Sequence, residues 1–223
     1  PGRQERRPPL ASIAQISDVH VVDAESPLRV EYLRGEKGND IVKQQDFQGA
    51  FRAQEMLTTH VAESMMQQLN DLGKGPVTGR PFDFLISTGD NGDNRQANEL
   101  SWFMTLLDGG AIQPSSGDPN KYEGVQDQTT NPHFNTYYHP DAMVADIYKQ
   151  VYGFPDYPGL LDASVKPFQA EGSRFPWYTV YGNHDNLVLG NLPTRANQTP
   201  TRALDGIVTG TQKNLSMPPF YTG

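Results

Sequence analysis

Apolar positions along the chain alternate between short strand-like runs and stripes at helical spacing. Residues 11–17 (ASIAQIS) form a strand candidate that ends on Asp18-Val19-His20. Ala50, Ala53, Leu57, Val61, Met65, Leu69 and Leu72 recur three or four apart, which predicts a long amphipathic helix over 42–72 with that stripe buried. Gly73 and then Pro76 end it. Residues 82–87 (FDFLIS) predict a second strand running into Gly89-Asp90. Leu100, Phe103, Met104 and Leu107 predict a short helix that Asp108-Gly109-Gly110 stops. A third strand is expected over 177–181 (WYTVY), with Trp177 and Tyr178 in the core, ending at Gly182-Asn183-His184-Asp185. This succession of strand, loop and helix is a βαβ-type layout, in which ligands gather at the carboxyl ends of the strands. Between the second and third strands an irregular insert runs over about 109–175, broken by a predicted helix over 141–152 with Met143, Ile147 and Val151 on one side. The sequence has no internal repeat.

Composition narrows the function. With 223 residues the chain suffices for one well-buried domain, or for most of a larger one. The formal net charge of −8 argues against general binding of nucleic-acid backbones, which needs a basic face. It is compatible with a small phosphorylated substrate held by metal ions. The absence of cysteine excludes disulfides, thiolate chemistry and cysteine zinc sites. No stretch approaches the length of a membrane span. The first nine residues lack the apolar core of a signal peptide and read as an exposed lead-in, or as what remains once a signal is removed. A secreted or cell-envelope location is compatible with that reading.

The three strand ends carry the chemistry. A site of two metals about 3.5–4 Å apart polarises a phosphoryl group and lowers the pKa of a bridging water. It needs a carboxylate that bridges both ions, with further carboxylate, imidazole and amide-oxygen ligands around it. Asp18 and His20 can point into one pocket if the chain twists at Val19. Asp90 follows a glycine that permits a tight turn, which suits a bridging ligand. Asn183 offers a neutral carbonyl oxygen, and His184 beside it is free for proton work. Read singly, each string is a plain turn or strand end, since Asn-Gly and Asp-Asn are turn formers. Asp90-Asn91-Gly92-Asp93-Asn94 also suggests a calcium loop, but the closing Glu of an EF-hand is missing. His60 lies beside the helical stripe and reads as structural. His133 and His139 read as loop residues, and Arg195 and Arg202 as solvated.

Taken together and in order, the strings resemble the D-x-H, G-D-x-x-D and G-N-H-[DE] signatures of the calcineurin-like metallophosphoesterase superfamily. The resemblance implies an α/β fold: a sandwich of mixed β-sheets flanked by helices, with residues 1–223 the N-terminal part of one catalytic domain supplying mainly the first sheet. It implies metal-dependent hydrolysis of a phosphomonoester or phosphodiester by a dinuclear centre with a metal-activated water. Asp18 and His20 would bind the first metal, Asp90 both, and Asn183 the second. His184 would face the substrate phosphate, with Asp93 orienting its imidazole and Asp185 outside the ligand set. The ions would be of Mn, Fe or Zn type, since these ligand types suit all of them.

Two departures follow. The protein-phosphatase branch has an arginine directly after the second Asp of G-D-x-x-D; here Asn94 stands there, followed by Arg95, and these two are the candidate substrate contacts. The family also completes its metal shell with later histidines, whereas none follows His184. The chain is then a truncated piece, or a cleaved one with a companion C-terminal fragment carrying those ligands, or His133 and His139 substitute. A fold-retaining but catalytically incomplete binding module is the competing reading, and a nuclease a third that the acidic charge disfavours.

Overall fold

The structure, a computed structural model, describes residues 8–26, 29, 31–34, 49–127, 134–187 and 189–190. Among these residues it is a mixed α/β fold with one parallel and one antiparallel sheet. Strands β1 (Ile13–Ile16), β2 (Phe84–Ser87) and β5 (Trp177–Thr179) form a parallel sheet in the order β1-β2-β5. The register aligns Ala14 with Leu85 and Leu85 with Trp177. One face of this sheet is therefore lined by Ala14, Ile16 and Leu85. Helices α1 (Thr58–Leu72) and α2 (Ala97–Asp108) bring Ala62, Met66, Phe103, Leu106 and Leu107 into the same core.

The long helix departs from its predicted form. Residues 42–48 lie outside the described residues, and the α-helix begins only at Thr58, after a 3-10 turn at Glu55–Leu57. Ala50 and Ala53 of the predicted stripe are buried outside the α-helix, Ala53 together with Phe51 in a second apolar cluster, where the Phe51 and Tyr137 ring centroids lie 5.1 Å apart. The buried face of α1 is also turned by a residue. It consists of Thr59, Ala62, Glu63, Met66 and Asn70, while Val61 and Leu72 are exposed. Glu63 accepts the Glu171 N–H at 3.0 Å, and Asn70 takes the Arg174 N–H at 2.9 Å and donates to the Gly172 carbonyl at 2.7 Å. These polar side chains are buried because the chain leading into β5 needs their hydrogen bonds. Gly73, left-handed at φ 61°, closes the helix by donating to Leu69.

The insert is more ordered than the sequence suggests. Strands β3 (Gly110–Ile112) and β4 (Phe168–Ala170) pair antiparallel and close it at its base. Between them lie α3 (Ile147–Tyr152), α4 (Leu160–Ser164) and a core of Tyr122, Val125, Tyr137, Tyr138, Tyr148, Leu161 and Val165. Aromatic residues fill this core, so it lacks the aliphatic periodicity that marks a helix or strand in sequence. The predicted helix over 141–152 starts only at Ile147, where the Asp146 carboxylate caps the N–H groups of Tyr148 and Lys149. Its inward residue is Tyr148, and Met143, Ile147 and Val151 face outward. Tyr178 likewise points away from the core that Trp177 packs against, because neighbouring strand residues alternate faces. No helix among the described residues is long and apolar enough to cross a membrane.

Candidate metal centre

The loops that follow β1 and β2 continue the parallel ladder beyond the strands. Asp18 N–H donates to Gly89 O at 3.0 Å, His20 N–H to Asp90 O at 3.0 Å, and Val21 N–H to Asn91 O at 2.9 Å. The chain turns left-handed at Asp18 (φ 53°), His20 (φ 48°) and Asp90 (φ 52°). The expected twist thus falls on either side of Val19. Left-handed non-glycine backbone costs on the order of 1 kcal/mol or more per residue and persists where the surroundings impose it. Three of the five such residues described are predicted metal ligands.

The β5 loop reaches the same point through two glycines. A Cβ at Gly89 would lie 2.9 Å from Gly182 N, and a Cβ at Gly182 would lie 2.7 Å from Asp90 N and run into the Asp90 carboxylate. Only hydrogen at both positions lets the two loops touch. The contact is then fastened by polar groups. His184 N–H donates to Asp90 Oδ1 at 2.9 Å, and the Asp185 carboxylate accepts from the N–H groups of Gly92 and Gly182, each at 2.8 Å, and of Asn91. Asp185 therefore ties backbone together. Asn183 Nδ2 donates to Gly190 O at 3.1 Å, which leaves its Oδ1 as the free acceptor.

Two groups of potential ligands result. The side-chain donors of Asp18, His20 and Asp90 lie within 4.8 Å of one another, and so do those of His20, Asp93 and His184. His20 Nδ1 is 3.1 Å from Asp93 Oδ1, so the carboxylate takes the Nδ1 proton and Nε2, 3.9 Å from Asp18 Oδ1, is left as the ligand atom. His184 Nδ1 is 3.0 Å from the Asp93 carbonyl and 3.3 Å from its Oδ1, which leaves Nε2 for proton work. The two imidazoles meet edge to face with centroids 4.4 Å apart.

Asp93 anchors both rings and is itself wholly buried, with Arg29 Nη1 at 2.7 Å from Oδ2 and Arg52 Nη2 at 2.5 Å from Oδ1. Burial alone would raise its pKa. The hydrogen bonds from His184 and His20 and the charges of Arg29 and Arg52 outweigh that and hold it well below the usual carboxylate range. The Asp93 carboxylate raises His184 above its ordinary value, against a smaller opposing effect of burial. Behind the site, burial pushes Glu99 up to about 7, although hydrogen bonds from Asn94 and from the Asp23 N–H favour its charge.

The expected substrate contact at Asn94 does not form. Asn94 is buried, and its amide nitrogen donates to Glu99 Oε1 at 2.9 Å. A buried carboxylate on α2 claims this side chain, so it faces inward. Arg95 is exposed, with left-handed backbone at φ 56°. His60 is structural, with Nε2 2.9 Å from Ser164 O and its ring against Phe168. His139 is buried in the insert, with Nδ1 2.5 Å from Gln126 O, and belongs to neither ligand group. His133, Arg195 and Arg202 lie outside the described residues. Sequence reasoning missed Arg29, Arg52, Glu55 and Glu99. Only Glu99 leaves a trace, as a carboxylate one turn before Phe103 on the inward face of an amphipathic helix.

Comparison of the chain with family models, with curated proteins and with solved structures yields no match. The fit to metal therefore rests on the donor set. Among the described residues neither Asp18 nor Asp90 is paired with a lysine or arginine, yet both carboxylates converge on one imidazole. Like charges gathered without a counter-cation, beside hard oxygen and nitrogen donors, fit a divalent or trivalent ion.

Proposed function

We propose that the chain is the N-terminal part of a calcineurin-like metallophosphoesterase catalytic domain, which hydrolyses a phosphomonoester or phosphodiester of a small molecule. The observation that carries this reading is the meeting of all three motifs at the carboxyl ends of adjacent parallel strands, with Asp18, His20 and Asp90 in one group. Asp18 and His20 would hold one ion, Asp90 both, and Asn183 Oδ1 the second. Two such ions, of Mn, Fe or Zn type, polarise the phosphoryl group and lower the pKa of water when bound. His184 Nε2 supplies the proton to the leaving oxygen, and Asp93 stabilises the charged imidazolium that holds that proton. The proposed fold is the mixed-sheet sandwich, with the parallel sheet as its first layer. A companion C-terminal segment carrying further histidines completes the ligand set. The donor count supports this, since among the described residues Asp18, His20, Asp90 and Asn183 leave two ions short of ligands.

The test pairs metal analysis with hydrolysis of 4-nitrophenyl phosphate and bis(4-nitrophenyl) phosphate. Mn-, Fe- or Zn-dependent turnover that Asp90→Asn lowers by about a hundredfold or more, together with loss of bound metal, is the expected result. Undiminished turnover in Asp90→Asn overturns the mechanism.

A further inference from the structure

Of the two arginines on Asp93, only one can reach a ligand. Arg29 is fully buried and commits Nη1 to Asp93, and Nη2 to Ala50 O at 3.2 Å and to Glu55. Arg52 approaches the same carboxylate from the rim, with its side chain 30% exposed, comparable to the 21% of His20 and 19% of His184. Its Nη2 meets the very oxygen, Asp93 Oδ1, that faces both imidazoles. The backbone beneath it is fixed. Phe51 and Ala53 on either side are buried, and the Arg52 N–H donates to Glu55 Oε2 at 3.2 Å. Among the described residues the guanidinium has no side-chain partner other than Asp93, so its other N–H donors remain for a ligand. Beside it lie Asp93 and the two imidazoles that Asp93 holds, and Asn94 in the adjoining loop is neutral and turned inward.

We propose that Arg52 is the substrate-contacting cation of this site, its guanidinium fork holding a non-bridging phosphoryl oxygen beside His184. The inference deepens the phosphoesterase reading and rests on it. A planar guanidinium matches the oxygens of a phosphoryl group and gives charge-assisted hydrogen bonds to them. Its ion pair with Asp93 holds the side chain in place before the substrate arrives.

The experiment compares the metal-loaded protein with Arg52→Gln and Arg52→Lys. It measures KM and kcat for 4-nitrophenyl phosphate, the affinity for inorganic phosphate by calorimetry, and metal content. In Arg52→Gln, KM should rise and phosphate affinity fall by about tenfold or more, with metal content unchanged. Arg52→Lys, which keeps the charge but not the fork, should recover part of the loss. Unchanged KM and phosphate affinity overturn the proposal. So does a fall in kcat and metal content at constant KM, the signature of an arginine acting only through Asp93. If the unaltered protein turns over neither ester, the phosphoesterase reading fails, and calorimetry still decides Arg52: phosphate binding weakened in Arg52→Gln supports the contact, and binding equal in both proteins or absent from both overturns it.

Discussion

Asp93 accepts from two histidines and from Arg29 and pairs with the charge of Arg52 at a position that excludes solvent, and its own charge persists only because these four groups together outweigh burial. Glu99, one layer further in, shows the opposite balance. Burial dominates, and its carboxyl titrates near 7 in the folded protein against 4.5 as its ordinary value. The folded state thus binds the Glu99 proton more tightly than the unfolded chain does. Its contribution to stability is fully present below about pH 4.5, declines as pH rises toward 7, and is gone above that. The total is on the order of 3 kcal/mol. Urea unfolding of the chelated protein at pH 5 and pH 8 should show this fall, and Glu99→Gln should flatten it. His184, raised by Asp93, also loses stability as pH climbs past its raised value, but that loss persists in the variant, so the difference between the two proteins isolates Glu99. An identical pH dependence in Glu99→Gln would place the titration elsewhere.

At the scale of elements, α1 shows why polar residues mislead. Asn70 bridges the helix to the chain entering β5, accepting from Arg174 and donating to Gly172. Asn70→Ala strands a partly buried N–H and a buried carbonyl, and should cost about 1–3 kcal/mol in urea unfolding. A change under 0.5 kcal/mol would mean that water replaces the amide. The same side chain explains what sequence could reveal. The three strands were legible as short apolar runs, the first ending at Asp18-Val19-His20 and the other two at Gly-Asp and Gly-Asn turns, and the candidate site residues were legible because these segments carry them. The face of α1 was not, because Glu63 and Asn70 are polar yet buried for backbone hydrogen bonds that no spacing announces. Ala53 fell in step with the helical stripe while serving the insert's core. Arg29 and Arg52 lie far from Asp93 in sequence and follow no motif, so their convergence on it emerges only in three dimensions.

At the scale of the whole molecule, the parallel sheet is covered on one side only among the described residues. Helices α1 and α2 pack on the face of Ala14, Ile16 and Leu85. The opposite face presents Ile13 at 49% exposure, Tyr178 at 60% and Val180 at 54%, with Phe84 and Ile86 half-buried between them. Parallel sheets are ordinarily buried on both faces, since their strands carry apolar residues on both. On the proposed reading a companion C-terminal segment would lie over this side and bring its histidines to the strand ends where Asp18 and Asp90 converge on His20. The two possibilities, a covered and a bare face, differ in energy. A charge placed on a truly exposed strand position changes stability by about 0.5 kcal/mol or less. A charge buried under a packed layer costs several-fold more, because it must be desolvated without a partner. Val180→Asp in the full-length protein should therefore lower the unfolding free energy by about 2 kcal/mol or more, with the fall in metal content that follows from displacing the covering layer. A loss of about 0.5 kcal/mol with metal retained would mean that the outer face stands bare and that the remaining ligands reach the site by another route.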